Sequence, residues 1–192
     1  MSEAKKILIL LGSPRKKGNS TALAGQIAKG AESAGAEVET VYLNGLEIKP
    51  CQGCYACKKK DAKGCVVDDD MQSLYPKVAA SDALVIATPV YWFNMSAQTK
   101  IFMDRLFGMF DANFTVNPLY KKKIAIAMSY GDTDPFNSGW VNALRSFQDA
   151  FRYVGAKMAG MVYGSAEEPG EISSNAVLMQ QADDLGRTLG RV

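Results

Sequence analysis

Four cysteines lie close together in the chain, and they are the side chains with the widest range of possible chemistry. They occupy a window of 15 residues with the spacing C-x2-C-x2-C-x7-C: Cys51, Cys54, Cys57 and Cys65. Thiolates three residues apart resemble the run that ligates three corners of a cubane in ferredoxins, and Cys65 could close the same cluster. A structural zinc site usually has two C-x2-C units, separated by more residues than lie between the cysteines of this chain. The residues leave three alternatives open: a thiolate-held cluster, free thiols, and a zinc site or disulfide.

The absence of histidine limits the other chemistry. None of the 192 residues is a histidine. This excludes Ser-His-Asp and Cys-His catalysis, histidine-ligated zinc or copper, and an imidazole proton shuttle. An enzyme of this composition must therefore use a cofactor, a metal held by sulfur or oxygen, or a lysine, tyrosine, thiol or carboxylate.

A second group of polar residues follows the first apolar run, Ile7 to Leu11. The loop from Gly12 to Thr21 lacks the G-x-G-x-x-G pattern and is not a Walker A loop. It does offer hydroxyl, amide and guanidinium groups, and free N–H groups at the start of a helix, which together favour a phosphate site. The candidate phosphate ligands are Ser13, Arg15, Asn19, Ser20 and Thr21. The alternative is a polar turn with Asn19 as the N-cap of the helix.

Two further loops could wall a flat ligand. Three consecutive aromatic side chains follow a buried strand, where they would either pack at a subunit interface or border an apolar ring. This stretch comprises Pro89, Val90, Tyr91, Trp92, Phe93 and Asn94. A turn-rich loop follows the next strand and consists of Ser129, Tyr130, Gly131 and Asp132. A phosphate site, an aromatic wall and polar backbone together predict a planar ring joined to a phosphate, which is FMN.

These loops need a sheet that brings them to one edge. Short apolar runs alternate with segments of helical period, which predicts a parallel sheet covered on both faces. The predicted strands are Lys6–Leu11, Val38–Leu43, Ala83–Thr88, Lys123–Ser129 and Lys157–Tyr163. At this length we expect an α/β, doubly wound, flavodoxin-like fold, with a five-stranded parallel sheet of order 2-1-3-4-5. Ligands of such sheets bind beyond the carboxyl ends of the strands.

The helical pattern is clearest after the fourth strand. Apolar residues from Trp140 to Val154 fall on one stripe, as do leucines between Leu178 and Leu189, and three aspartates precede a helix beginning near Met71. We expect one domain over residues 1–192, with the cysteine-rich stretch as a loop insert at about 44–70.

The same stretches resemble those of a known family. Four of them carry the resemblance, over roughly Ile7 to Phe107: Gly12-Ser13-Pro14-Arg15 with Gly18-Asn19-Ser20-Thr21, the Pro50–Cys57 run, Asp68-Asp69-Asp70-Met71, and Thr88-Pro89-Val90-Tyr91 with Lys100 and Asp104-Arg105. They look like the NADPH-dependent FMN reductase family, and within it most like the iron–sulfur flavoproteins.

This resemblance implies an FMN-binding flavodoxin-like fold with a [4Fe–4S] cluster beside the flavin. The phosphate would be held by the first loop, and the ring would be bordered by Pro89 to Asn94 and by the loop Ser129–Asp132. The four cysteines would ligate the cluster. Members of the family are typically homodimers or tetramers with the flavin near a subunit interface.

The expected function is that of an FMN oxidoreductase. NAD(P)H or another donor would pass electrons through the flavin to a small-molecule or protein acceptor, a reaction that needs no imidazole. Two alternatives remain, a non-enzymatic FMN electron carrier and a cluster-free NAD(P)H:FMN or quinone reductase. The net charge of +2 counts mildly against a carrier, since carriers of this fold are usually strongly acidic.

The remaining composition points to an ordinary globular protein. With 47% hydrophobic and 22% charged residues and a small net charge, neither nucleic acid nor a membrane surface is an expected partner. The first residues show no secretory signal, and the apolar run at Ile7–Leu11 is far too short to span a membrane. We therefore expect a cytoplasmic, reducing environment.

Overall fold

Five parallel strands form the sheet, and their order is the predicted one. The computed structural model describes residues 3–191, in which the strands pair in the order β2-β1-β3-β5-β6. Their bounds are β1 (Lys6–Leu11), β2 (Glu37–Tyr42), β3 (Ala83–Tyr91), β5 (Lys123–Tyr130) and β6 (Lys157–Ser165). Without the short strand β4 (Asn94–Met95), this is the flavodoxin-like order 2-1-3-4-5, so the predicted fold class is confirmed.

The additional strand β4 was not predicted. It folds back on β3 as an antiparallel hairpin, with Tyr91 opposite Asn94 and Val90 opposite Met95. The two residues between the strands, Trp92 and Phe93, both have positive φ angles, 46° and 65°. A two-residue hairpin turn of this kind requires left-handed backbone, which sequence preference assigns to Gly, Asn and Asp rather than to aromatic residues.

Helices cover both faces of the sheet. Their bounds are α1 (Asn19–Ser33), α2 (Met71–Ala80), α3 (Ala97–Arg105), α4 (Trp140–Tyr153) and α5 (Ala176–Gly190). Strand β1 shows why two cores form, since Ile7 and Ile9 face one layer and Leu8 and Leu10 the other. The first layer contains α1 and α5, and the second contains α2, α3 and α4.

Helices α1 and α5 pack so closely that the backbone of each contacts the backbone of the other. A Cβ atom at Gly30 would lie 2.1 Å from the Asp183 carbonyl, and one at Gly186 would lie 2.0 Å from the Ile27 carbonyl. Both positions therefore need glycine. This contact packs the second half of α1 tightly against the C-terminal helix.

The cysteine-rich segment, residues 44–70, is largely irregular. Its regular parts are two short 3-10 turns, Leu43–Gly45 and Ala56–Lys58, before α2 begins at Met71 directly after the three aspartates. Across residues 3–191, none of the helices combines the length and the apolar character that a membrane crossing requires.

Candidate functional site

A cavity of about 170 Å³ lies at the carboxyl edge of the sheet, where the predicted loops converge. Because the strands are parallel, the loops after β1, β3 and β5 all emerge at this edge. Nine of the predicted FMN-site residues line the cavity: Ser13, Arg15, Asn19, Pro89, Val90, Tyr91, Ser129, Tyr130 and Gly131. The structure thus brings the three loops together at one edge of the sheet, as the predicted strand order requires.

Six other predicted residues lie around the cavity without lining it. They are Ser20 and Thr21 in the first turn of α1, Trp92, Phe93 and Asn94 in the hairpin, and Asp132. Trp92 is 93% exposed at the hairpin tip. The Asp132 carboxylate instead accepts the N–H groups of Thr133 at 2.6 Å and Asp134 at 3.2 Å, which orders the loop itself.

The start of α1 has unused hydrogen-bonding capacity. Ser20 is 1% exposed, and its buried hydroxyl has no hydrogen-bond partner among residues 3–191. The N-cap position is Gly18, so no side chain caps the helix. The first N–H groups of a helix have no acceptor within the helix, and they carry the positive end of its dipole. An anion at this point would satisfy both the hydroxyl and these N–H groups.

Asn19 is not the N-cap of α1, the role that the polar-turn alternative gave it, because the N-cap position is Gly18. Its side-chain amide donates to the Glu168 carbonyl at 3.0 Å and accepts the Ile172 N–H at 3.2 Å. The side chain therefore holds the segment after β6 against the start of α1. The same amide nitrogen also donates to the Ala166 carbonyl at 3.5 Å, so the whole side-chain amide is engaged with this segment.

That segment supplies the part of the cavity that sequence reasoning missed. Ala166, Glu167 and Pro169 line the cavity, and the Glu171 carboxylate orders them by accepting the N–H groups of Glu167 and Glu168 at 2.8 and 2.9 Å. The signal was available, since this segment follows the last strand of a parallel sheet. Ligand loops follow every strand of such a sheet at this edge.

The aromatic hairpin rests on the start of α4. Gly139 has a φ of 80°, and a Cβ atom there would lie 2.3 Å from the Cα of Phe93. Two consecutive left-handed aromatic residues cost of order 1–3 kcal/mol each, and such strain persists only where the surrounding structure imposes it. The close packing of Phe93 against the Gly139 backbone is one such constraint. The conformation of the aromatic hairpin therefore depends on a glycine that is distant in the sequence.

A buried hydroxyl network joins the first loop to the hairpin. Ser96, the N-cap of α3, donates to the Gly12 carbonyl at 2.7 Å, lies 3.0 Å from Thr99 Oγ1 and accepts the Thr99 N–H at 3.3 Å. Its own N–H donates to Thr88 Oγ1 at 3.0 Å. Thr88, Ser96 and Thr99 have no exposed surface. The first loop and the hairpin are therefore both anchored to the same end of α3.

The four cysteines surround a separate cavity of about 460 Å³. All four line it, with Cys51 and Cys54 exposed and Cys57 and Cys65 half-buried, and all are free thiols. Phe107 and Gly108, just beyond α3, form the opposite wall. A common cavity lined by four thiols fits the donor set that an iron–sulfur cluster requires.

Lys58 holds the inner part of this segment in place. Its ammonium donates to the carbonyl of Phe107 at 2.7 Å and to that of Phe110, and it lies 4.0 Å from the centre of the Phe107 ring. Burial raises the pKa of the Cys57 thiol, the charge of Lys58 opposes this rise, and the thiols of Cys65 and Cys54 add to it. On balance the pKa of the Cys57 thiol lies above its usual value.

A buried ion pair fixes the base of the cysteine segment. The Arg105 guanidinium binds both oxygens of Asp69 and donates to the Lys49 carbonyl at 2.8 Å, and the two side chains are 0% and 1% exposed. Asp69 also accepts the N–H groups of Lys49 at 2.9 Å and Met71 at 3.0 Å. Residues on both sides of the cysteines are therefore tied to the end of α3.

This environment determines the charge of Asp69. Burial alone would raise the pKa of the carboxyl, but the hydrogen bonds from Arg105 and Lys49 and the charge of Arg105 outweigh it. The pKa of Asp69 is therefore held below its usual value, and the carboxylate stays ionised.

The arrangement of thiols bears on the three alternatives for the cysteines. Within residues 3–191, no three Cys, Asp or Glu side chains are placed to hold a single metal ion. A zinc ion holds its sulfurs at about 2.3 Å, which brings them close together. A cubane binds each thiolate to a different iron, so its ligands lie further apart around a larger volume. The zinc and cluster interpretations, like that of free thiols, stay predictions.

Comparison with known proteins gives the chain a clear set of relatives. A family model described as NADPH-dependent FMN reductase matches residues 5–171. The chain is 34% identical over 170 residues to an iron-sulfur flavoprotein of Methanosarcina thermophila, covering 85% of each chain. It is 32% identical over 177 residues to an iron-sulfur flavoprotein of Archaeoglobus fulgidus, covering 92% of this chain and 75% of the other.

A solved structure supports the fold independently. The NAD(P)H:quinone oxidoreductase from Methanothermobacter marburgensis superposes with a TM-score of 0.73. The match covers 97% of this chain and 100% of the other at 20% identity. This likeness shows the flavodoxin-like architecture.

The network at Ser96 predicts that a second substitution restores part of the stability that a first one removes. A Cβ atom at Gly12 would lie 1.8 Å from Thr99 Oγ1, whereas its next neighbours are 3.1 Å or more away. Gly12→Ala should lower the free energy of unfolding by about 1–3 kcal/mol, as overpacking does. Thr99→Ala removes the clashing atom, so the double variant should be more stable than Gly12→Ala alone. Denaturant unfolding of all four proteins tests this, and simple addition of the two losses would contradict it.

The ion pair predicts a pH-dependent loss of stability. Asp69→Asn leaves the Arg105 charge buried without its partner and should cost about 3–5 kcal/mol in the free energy of unfolding at neutral pH. Since the native pKa of Asp69 is depressed, its stabilisation is complete above the unfolded pKa of about 3.9 and is lost as the pH falls through the native value. The difference from wild type should therefore narrow below about pH 4.

The matched control is Asp104→Asn. Asp104 pairs with Lys100 at the surface of the same helix, with 48% of its side chain exposed. That change should cost about 1 kcal/mol or less. Equal unfolding midpoints for the two variants in urea would show that the buried pair does not anchor the cysteine segment.

Proposed function

The chain belongs to the NADPH-dependent FMN reductase family, and we propose that it passes electrons from NAD(P)H or another donor through FMN and a [4Fe–4S] cluster to an acceptor. The observation that carries this proposal is the cavity at the carboxyl edge, with the unpartnered Ser20 hydroxyl and the free helix N-terminus beside it. These are the groups that a flavin phosphate would satisfy.

The first loop and the start of α1 would bind the phosphate. Ser13 and Ser20 are buried at 3% and 1% exposure, so their hydroxyls are shielded from competing water. Arg15 is exposed at the rim and would add charge, while the backbone N–H groups of the first helical turn would supply directional bonds.

The other two loops would hold the ring. Pro89 to Tyr91 offer an apolar wall, and the loop Ser129–Gly131 offers backbone groups on the opposite side. The cavity is smaller than the roughly 300–1,000 Å³ of typical ligand pockets, so it would enclose only part of the ligand. The ring would extend towards the exposed aromatic hairpin. Bound FMN supplies a ring that accepts a hydride and releases electrons singly or in pairs.

The four cysteines would hold the cluster. Cys57 and Cys65 would bind from the half-buried side and Cys51 and Cys54 from the exposed side. The relatives named iron-sulfur flavoproteins support this assignment.

We further propose that the chain forms a homodimer or tetramer, since the exposed aromatic hairpin is typical of a surface that a second subunit covers. The proposed location of this assembly is the cytoplasm.

The Ser20 hydroxyl gives the sharpest test of the flavin site. Ser20→Ala removes a buried polar group without a partner, so the apoprotein should be as stable as wild type or more stable. FMN affinity should fall about ten- to a hundredfold, because a hydrogen bond to a charged phosphate is lost. Flavin fluorescence titration and thermal unfolding of the apoprotein measure the two effects.

The control for this test is Ser33→Ala, at the other end of the same helix. Ser33 is exposed, and its hydroxyl donates to the Gly30 carbonyl within the helix. This change should leave FMN affinity unaltered. Unchanged FMN affinity in Ser20→Ala, or a loss matched by destabilisation of the apoprotein, would contradict the assigned role.

The cluster is tested on protein purified without oxygen. We expect one flavin per chain, with iron and acid-labile sulfide that both disappear in Cys57→Ser while the flavin remains. Flavin without iron in wild-type protein would favour a cluster-free reductase. Flavin with iron but no oxidation of NADH or NADPH with any acceptor would favour the electron carrier. Failure to bind FMN at all would overturn the proposal.

A further inference from the structure

Tyr42 contacts the predicted phosphate loop from outside it. It is the last residue of β2, and its hydroxyl donates to the Pro14 carbonyl at 2.6 Å. Pro14 lies between Ser13 and Arg15, both of which line the cavity. Sequence analysis did not single out Tyr42, because nothing in its neighbourhood along the chain indicates this contact.

The contact matters because the loop has few other anchors. Inside the loop, the Arg15 N–H donates to Ser13 Oγ at 3.1 Å and the Gly18 N–H donates to the Arg15 carbonyl at 3.0 Å. For the part of the chain described, the Tyr42 hydroxyl makes the one hydrogen bond that reaches residues 13–17 from beyond the loop and α1. The position of the loop relative to β2 therefore depends on this hydroxyl.

The ring of Tyr42 also holds a positive charge beside the loop. Lys16 Nζ lies 5.4 Å from the ring centre, within the range of a cation–π interaction. Lys16 is exposed and would otherwise be free to extend into solvent. Tyr42 thus orders both the backbone and one cation of the loop.

The hydroxyl is itself held in position. Asn44 Nδ2 donates to it at 3.4 Å, and Asn44 Oδ1 accepts a hydrogen bond from Gln98 Nε2 at 2.9 Å. Gln98 belongs to α3, the helix whose start anchors Gly12. The loop is therefore held at its first residue by Ser96 and at Pro14 by Tyr42, with both supports connected to α3.

We infer that Tyr42 is a positioning residue for phosphate recognition, which makes the site select a phosphorylated flavin over the same flavin without phosphate. This inference rests on the proposed function. Tyr42 acts through Pro14 and Lys16 on the phosphate end of the ligand. Among residues 3–191 its side chain makes no hydrogen bond to the two loops proposed to border the ring, so loss of its hydroxyl should leave recognition of the ring unchanged.

The test compares the affinities of the apoprotein for FMN and for riboflavin. Tyr42→Phe keeps the ring and its contact with Lys16 but removes the hydroxyl. It should weaken FMN binding about three- to tenfold, the loss of one hydrogen bond, and change riboflavin binding by less than about twofold. Lys16→Gln should also weaken FMN alone, and this effect should disappear at high salt because the charge is exposed.

Tyr120→Phe serves as the matched control. Tyr120 is exposed whereas Tyr42 is half-buried, but it too contacts a lysine, with Lys121 Nζ 5.1 Å from its ring centre. It precedes β5, at the opposite edge of the sheet. Loss of the Tyr120 hydroxyl should change neither the affinity for FMN nor the affinity for riboflavin. The thermal unfolding midpoint of each apoprotein checks that the variants are folded.

The outcomes separate the inference from the function on which it rests. A wild-type chain that binds neither flavin overturns both. A wild-type chain that binds FMN while Tyr42→Phe keeps full FMN affinity overturns the inference alone. Equal losses for FMN and riboflavin would mean that Tyr42 supports the fold of the whole site, which also contradicts a specific role at the phosphate.

Discussion

The hydroxyl of Ser96 is the point on which the functional edge of this molecule depends. It caps α3, binds the carbonyl of Gly12 directly after β1, and lies in a buried network with Thr88, which lies within β3. Two neighbouring strands and one helix thus meet at a single side chain without exposed surface. The loop after β1 starts at Gly12, and the β3–β4 hairpin ends at Met95, directly before Ser96. The separation of these two loops is therefore set by hydrogen bonds and does not depend on loop flexibility.

Helix α3 extends this constraint to the second candidate site. It starts at the Ser96 network and ends at Arg105, whose buried pair with Asp69 holds the base of the cysteine segment. Nine helical residues span about 13 Å at 1.5 Å per residue. A flavin at one end and a cluster at the other would therefore be kept at a fixed spacing by one rigid element. Breaking either end of α3 should loosen one site while the sheet remains intact.

Much of the fold could be predicted because apolar patterning determines it. Strand β1 carries Ile and Leu on both faces, and its predicted bounds are the observed ones. Helix α4 carries an apolar stripe from Trp140 onwards, and its predicted end differs from the observed one by one residue. The convergence of three loops on one cavity followed from the parallel order of the strands. The assignment of individual side chains to FMN stays a prediction.

The features that sequence reasoning missed depend on contacts between distant residues. Nothing local indicates that Arg105 binds Asp69, 36 residues away, or that Tyr42 reaches Pro14. The hairpin at Trp92 and Phe93 contradicts the local preference for left-handed backbone and exists because the surrounding packing imposes it. Asn19 looked like a ligand or an N-cap, yet its side chain is used to hold the segment after β6.

The central claim is that a flavin phosphate completes the polar groups left open at the start of α1. A crystal structure of the chain with bound FMN tests this most directly. We expect a phosphate oxygen within hydrogen-bond distance of Ser20 Oγ and of the first backbone N–H groups of α1, with the ring against Pro89 to Tyr91. A flavin bound elsewhere, or a Ser20 hydroxyl that still has no partner in the complex, would contradict it.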